Sequence, residues 1–142
     1  MNTSENQRTL QAMLVPLAEG DARPFVAGMA EDIQWTVTGS FPWAGTFRGK
    51  DALRKELFAV VMARFKPPYR VTIKRILTDG DYATVELQGV GNTTHDGLAY
   101  PQEYCWVCRL ADGKLKEVAE YGDTYLAMRV LGEPPDKSPS AS

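Results

Sequence analysis

Asp79-Gly80, Asp96-Gly97 and Asp112-Gly113 recur at nearly even intervals through the second half of the chain, each between stretches rich in Val, Tyr, Leu, Ile and Thr. Asp-Gly favours a tight hairpin because both central positions of the preferred turn need positive φ, which Gly takes freely and Asp tolerates. The pairs therefore predict a four-strand antiparallel meander over Tyr69 to Thr78, Tyr82 to about Thr93, Leu98 to Leu110 and Leu115 to Leu126. Strands of roughly a dozen residues exceed the common five or six, and a sheet built from them twists and curls. A curled sheet with helices on its hollow side encloses a pocket. Chemistry is accordingly expected among polar side chains that point into that hollow.

Upstream, Ser4 and Gln7 have capping-box spacing, and Leu10, Met13, Leu14 and Leu17 recur at helical intervals up to Gly20. Asp21 is placed to cap a short second helix with Pro24 in its first turns and Phe25, Val26 and Met29 as its apolar side. Ile33 to Thr38 alternates as a strand, Gly39 to Pro42 breaks it, and Ala44 to Gly49 returns. Leu53, Leu57, Val60 and Val61 stripe a third helix from Asp51 to about Phe65, stopped by Pro67-Pro68. The order reads as α+β, with helices packed on one face of a bent sheet. One domain over residues 1–130 is expected, followed by a disordered Pro- and Ser-rich tail over 131–142.

A net charge of −2 provides no basic field, so nucleic acid is not an expected partner. No run is long enough to span a membrane, and the first residues lack the basic-then-apolar pattern of a secretory signal; a cytoplasmic location is expected. Cys105 and Cys108 have the spacing of a redox pair but fall within a strand, not at a helix start, and read as packing residues. His95 is the sole histidine and nothing completes a ligand set, so neither a metal nor a cofactor is expected. In its turn beside Asp96, His95 reads as solvent-facing.

Two segments carry a family likeness. Trp35-x-Val37-x-Gly39 followed by Ala44-Gly45-x-Phe47-x-Gly49 and Ala52-Leu53 resembles the "W-x-V-x-G … A-G-x-Y-x-G" stretch of the nuclear transport factor 2-like superfamily. The run from Tyr104 to Thr124 is similar to its closing hairpin. Within that superfamily the chain resembles SnoaL-like and ketosteroid-isomerase-related proteins. The resemblance implies a cystatin-like cone: a curved, mostly antiparallel sheet with about three helices on the concave face. Members include isomerases, polyketide cyclases, epoxide hydrolases, dehydratases and non-catalytic binders, so the fold names no single reaction.

Strand alternation sorts the candidates. If Val118 faces the hollow, Glu120 does too, and Tyr104, Trp106 and Cys108 share a face one strand back. Similarity to limonene-type epoxide hydrolases, which use an Asp-Arg-Asp set, carries those positions onto Glu86, Thr84 and Glu120; the arginine is absent here, so epoxide opening in that form is not expected. Two carboxylates in one apolar hollow would drive one pKa toward neutrality, giving a group able to exchange a proton at pH 7. Asp123 matches an acid that SnoaL-like cyclases use, with an alternative role in bonding the backbone at the strand end; a bulge at Gly122 would turn it inward. The catalytic candidates are thus Glu120, Glu86 and Asp123. Trp35 and Trp106, expected on facing sides of the hollow, with Tyr104, Val37 and Val118, form the candidate ligand wall. Ketosteroid isomerisation in its usual form is not expected, because the first strand offers Val37 and Thr38 where an acid is needed.

These readings converge on a cofactor-independent general acid/base enzyme of isomerase, cyclase or dehydratase type acting on a hydrophobic small molecule. The alternative is a non-catalytic small-molecule binder, and a third class, an interaction module, would expose Phe41-Pro42-Trp43. Cys105, Val107, Ala119 and Tyr121 leave the convex face apolar, and a homodimer built sheet to sheet would cover it.

Overall fold

Strands of eight or nine residues, shorter than predicted, build the meander: β3 (Val71–Asp79), β4 (Tyr82–Gly89), β5 (Glu103–Ala111) and β6 (Lys114–Gly122). The computed structural model describes residues 3–135. Two of the Asp-Gly pairs close tight hairpins. Ala111 pairs with Lys114 around Asp112-Gly113, where Asp112 at φ 53° is the one non-glycine residue with positive φ among the described residues. Asp79 pairs with Tyr82 around Gly80-Asp81, so there the glycine leads the turn. Asp96-Gly97 instead sits in a loop between β4 and β5. At the start of that loop the Asn92 side chain bonds Arg70, accepting from its N–H at 2.9 Å and donating to its carbonyl at 2.7 Å, a carbonyl that also accepts the Val90 N–H at 3.0 Å.

The sheet has six strands in the order β2-β1-β6-β5-β4-β3. β1 (Met29–Val37) pairs antiparallel with β2 (Gly45–Arg48) and parallel with β6, bringing Trp35 opposite Val118 and Val37 opposite Glu120. Register shifts between Met29 and Gln34, Ile73 and Arg75, and Arg109 and Leu110 bend it into a cone. None falls at Gly122, which stays paired with Tyr104.

Among the described residues four helices complete the α+β fold. α1 (Thr3–Ala18) buries Leu10, Met13 and Leu14 against β3 and α2 (Arg23–Ala27). Gln7 accepts from the Thr78 hydroxyl on β3 at 2.5 Å, and Asp21 accepts the Arg23 backbone N–H at 3.1 Å. α3 runs without a break through Lys50–Ala52, a π-helical stretch Leu53–Phe58, and Ala59–Met62. It buries Leu53 and Leu57.

The last element corrects the sequence reading, which continued the strand to Leu126. The strand stops at Gly122 and the chain enters α4 (Thr124–Leu131), because Asp123 caps it by accepting the Leu126 N–H at 3.0 Å. α4 is held by Trp43 Nε1 donating to Gly132 O at 2.7 Å, by the Arg64 guanidinium donating to Leu131 O, and by a small core of Trp43, Phe65, Tyr100, Ala127 and Leu131. Trp43 is buried here, so Phe41-Pro42-Trp43 is not the exposed patch of an interaction module. Residues 136–142 of the expected tail lie outside the described residues. Among the described residues no helix is long and apolar enough to cross a membrane.

Candidate active site

A cavity of about 420 Å³ opens between the concave face and the helices. The apolar alternation of the strands aims its walls: Trp35 from β1, Leu87 from β4, Tyr104 and Trp106 from β5, and Glu120 from β6, facing Phe25 of α2 and Phe58 of α3. The cross-strand register sets Trp106 beside Glu120 and Val85 beside Trp106. Trp106 stacks on Phe25 with centroids 5.4 Å apart. It also meets Trp35 edge to face at 5.1 Å. The two indoles therefore touch along one wall and do not face each other across the hollow. Val118 shares their face, but is packed in the core and does not line this cavity.

Among the described residues Glu120 is the one charged residue on this cavity wall. Its Oε1 accepts the Trp35 indole N–H at 2.8 Å. Burial raises its carboxyl from the ordinary 4.5 to about 7, against the lowering effect of that single hydrogen bond. The sequence reading assigns such a rise to desolvation together with repulsion from a neighbouring carboxylate. Here desolvation alone supplies it, because Glu86 points the other way.

Glu86 is a correction. β4 turns Ala83, Val85 and Leu87 inward, while Thr84, Glu86 and Gln88 take the opposite face. Glu86 pairs with Arg75 at 2.8 Å and is partly solvent-exposed. The buried positions of β4 are its apolar ones, so the hydrophobic period outweighs the carried-over epoxide hydrolase alignment. Asp123 is exposed and spends one oxygen on the α4 cap. Its other link to the site is a second, smaller chamber of about 70 Å³, which it lines with Val37, Thr38, Gln102 and Thr124. Replacing Asp123 by Ala should cost about 1 kcal/mol through loss of the cap, read as a shift in the urea midpoint. A proton-transfer role would add a loss of turnover, measured under conditions where the variant is fully folded, to that stability cost.

Three phenols converge near Glu120. The Tyr104 hydroxyl lies 2.6 Å from that of Tyr69, and Gln102 Nε2 donates to Tyr100 Oη at 3.0 Å. Burial pushes Tyr100 up to about 12 and moves Tyr69 and Tyr104 well above the ordinary value of 10.0. All three stay protonated and able to donate near neutral pH. Tyr69 escaped the sequence reading, which placed it at the start of a strand. The Pro67-Pro68 pair delivers it to the cavity wall, a position that periodicity does not encode.

Cys108 is buried with its thiol pushed up to about 12 by desolvation, and both cysteines are free. His95 is exposed, with Nε2 3.1 Å from Ala63 O. Among the described residues no His, Cys, Asp and Glu cluster has the makings of a metal site.

Solved structures with the same architecture include an NTF2-like protein from Burkholderia thailandensis E264, 22% identical, with a TM-score of 0.76 over 92% of this chain and 98% of that one. TerC, co-crystallised with polyporic acid, is 19% identical with a TM-score of 0.71, covering 89% of this chain and 98% of that one. A protein with a ketosteroid isomerase-like fold from Catenulispora acidiphila DSM 44928, in complex with trimethylamine, is 16% identical with a TM-score of 0.68, over 92% of this chain and 97% of that one. At such identities these likenesses establish the cone fold and no activity. No curated protein matches the sequence. The SnoaL-like domain matches residues 10–118, most of the cone and β6 as far as Val118, two residues before Glu120, and the chain belongs to that family within the NTF2-like fold.

Proposed function

We propose that the protein is a cofactor-independent acid/base enzyme of isomerase, cyclase or dehydratase type, working in the cytoplasm on a hydrophobic carbonyl compound held in the cone. The observation that carries this reading is Glu120: one carboxylate in an apolar cavity, fixed by Trp35 and poised near pH 7. As a carboxylate it takes a proton from the carbon next to the carbonyl. As the resulting acid it returns that proton to another carbon, or to a leaving hydroxyl. The enolate oxygen formed meanwhile needs donors, and the linked Tyr104 and Tyr69 hydroxyls line the same cavity. Trp35, Trp106 and Phe25 supply flat apolar contact for a ring-containing body.

The test is deuterium uptake from D2O into a panel of neutral cyclic ketones, followed by proton NMR. The wild-type protein should exchange the protons beside the carbonyl and Glu120→Gln should not. Exchange at equal rates in both would remove the catalytic reading and leave a binder.

The convex face belongs to the same proposal. Val107 and Tyr121 are exposed on it, and a homodimer formed sheet to sheet would cover them. Tyr121→Lys, which sets a charge on that face, should convert a dimer to a monomer in sedimentation equilibrium. A wild-type protein that sediments as a monomer would count against the dimer and leave the pocket untouched.

A further inference from the structure

The larger and smaller chambers share part of their lining: Leu57, Val61, Tyr104 and Glu120 border both. Glu120 therefore stands at a junction between two spaces and not at the blind end of one. The spaces differ in chemistry. On the large side the wall is aromatic and aliphatic apart from Glu120 and the phenols of Tyr69 and Tyr104. On the small side Thr38, Thr124, Gln102 and Asp123 add polar groups, and its 70 Å³ has room for two or three heavy atoms. The Gln102 amide is saturated by Tyr100, Glu103 and Asp123 and offers a ligand nothing, and Thr38 Oγ1 donates to Glu120 O. Among the described residues no such bond engages the Thr124 hydroxyl. Neither lining contains Lys, Arg or His among the described residues, so each formal charge they turn toward the ligand is negative.

We infer that the ligand is an uncharged, two-part molecule: an apolar ring body in the larger chamber, a short neutral polar arm in the smaller one, and the reacting carbon between them at Glu120. This rests on the reading of Glu120 as the group that meets the ligand, and adds the class of molecule it meets. A carboxylate or phosphate on the arm would have to sit between Glu120 and Asp123 with no cation among the described residues to pair it, so both charges would repel it. A body with a purely apolar arm would fit by volume but forgo a hydrogen bond with the Thr124 hydroxyl, which borders the smaller chamber and is only partly buried.

Three fluorescent probes of nearly one shape test this at pH 8: ethylnaphthalene, naphthylethanol and naphthylacetate. The alcohol should bind about fivefold to tenfold more tightly than the hydrocarbon, the worth of one hydrogen bond. The carboxylate should bind about a hundredfold more weakly than the alcohol. Ala127→Leu, which fills the smaller chamber, should erase the alcohol's advantage, and Thr124→Val, which keeps its shape, should do the same without crowding. Both should leave binding of methylnaphthalene, which lacks an arm, unchanged. Glu120→Gln should relieve much of the penalty on naphthylacetate.

Naphthylacetate binding the wild type as well as the alcohol would overturn the inference. So would an alcohol advantage that survives in both Ala127→Leu and Thr124→Val. If Glu120→Gln still abolishes ketone exchange in either case, only the two-part ligand falls. If Glu120→Gln changes neither exchange nor probe binding, the reading of Glu120 falls and takes the inference with it.

Discussion

Glu120→Gln should lower the rate of ketone proton exchange by about 10²-fold to 10⁴-fold, the usual worth of a positioned general base. Glutamine keeps an oxygen for the Trp35 N–H, so the wall should hold its shape while the proton acceptor is lost. In the wild type, only ionised Glu120 can take the proton, so kcat/KM should rise with pH and level off above the carboxyl's value of about 7. The residual rate in the variant should be flat across that window. A wild-type profile that rises near pH 4.5 and is flat at 7 would show a solvated carboxylate and defeat the assignment.

The same substitution should have the opposite sign for stability. Glu120 has a folded value near 7 and an ordinary value of 4.5, so between those pH values the folded chain holds a proton that the unfolded chain releases. The wild type is therefore most stable below about pH 4.5 with respect to this group, and loses stability as pH rises through 7. The rise from 4.5 to about 7 corresponds to about 3 kcal/mol, less whatever is recovered by water that enters the cavity. Glu120→Gln does not titrate, so at pH 8.5 it should be more stable than the wild type by about 1–3 kcal/mol. Near pH 4.5 the two should converge. Urea unfolding at both values measures this, and a gap independent of pH would mean that Glu120 does not titrate in the cone. A residue that costs stability and supports turnover is the pattern expected of a functional group held in an unfavourable place.

The legible parts of this molecule were those set by local chemistry. Asp112-Gly113 gave a hairpin because a two-residue turn with positive φ admits few other pairs. Leu10, Met13 and Leu14 gave the buried side of α1 because helical spacing aligns them. Glu120 was legible as inward-facing by its phase with Val118. Glu86 shows how a borrowed alignment can mislead: Ala83, Val85 and Leu87 already declared the buried face of β4, and Glu86 lies between them. The start of α4 was misread because Tyr125 and Leu126 suit a strand as readily as a helix, and the Asp123 cap decides between them only when the chain turns.

Local sequence thus determined the hairpins, the α1 stripe and the side of the sheet on which Glu120 lies, because turn geometry and side-chain period act over a few residues. Tertiary structure alone decided that β1 lies parallel to β6, so that the Trp35 indole reaches a carboxylate 85 positions away, and that Tyr69 meets Tyr104. It also decided that Glu120 stands between two chambers. Desolvation and long-range hydrogen bonds depend on which segments meet in space, and that is settled by packing the whole cone.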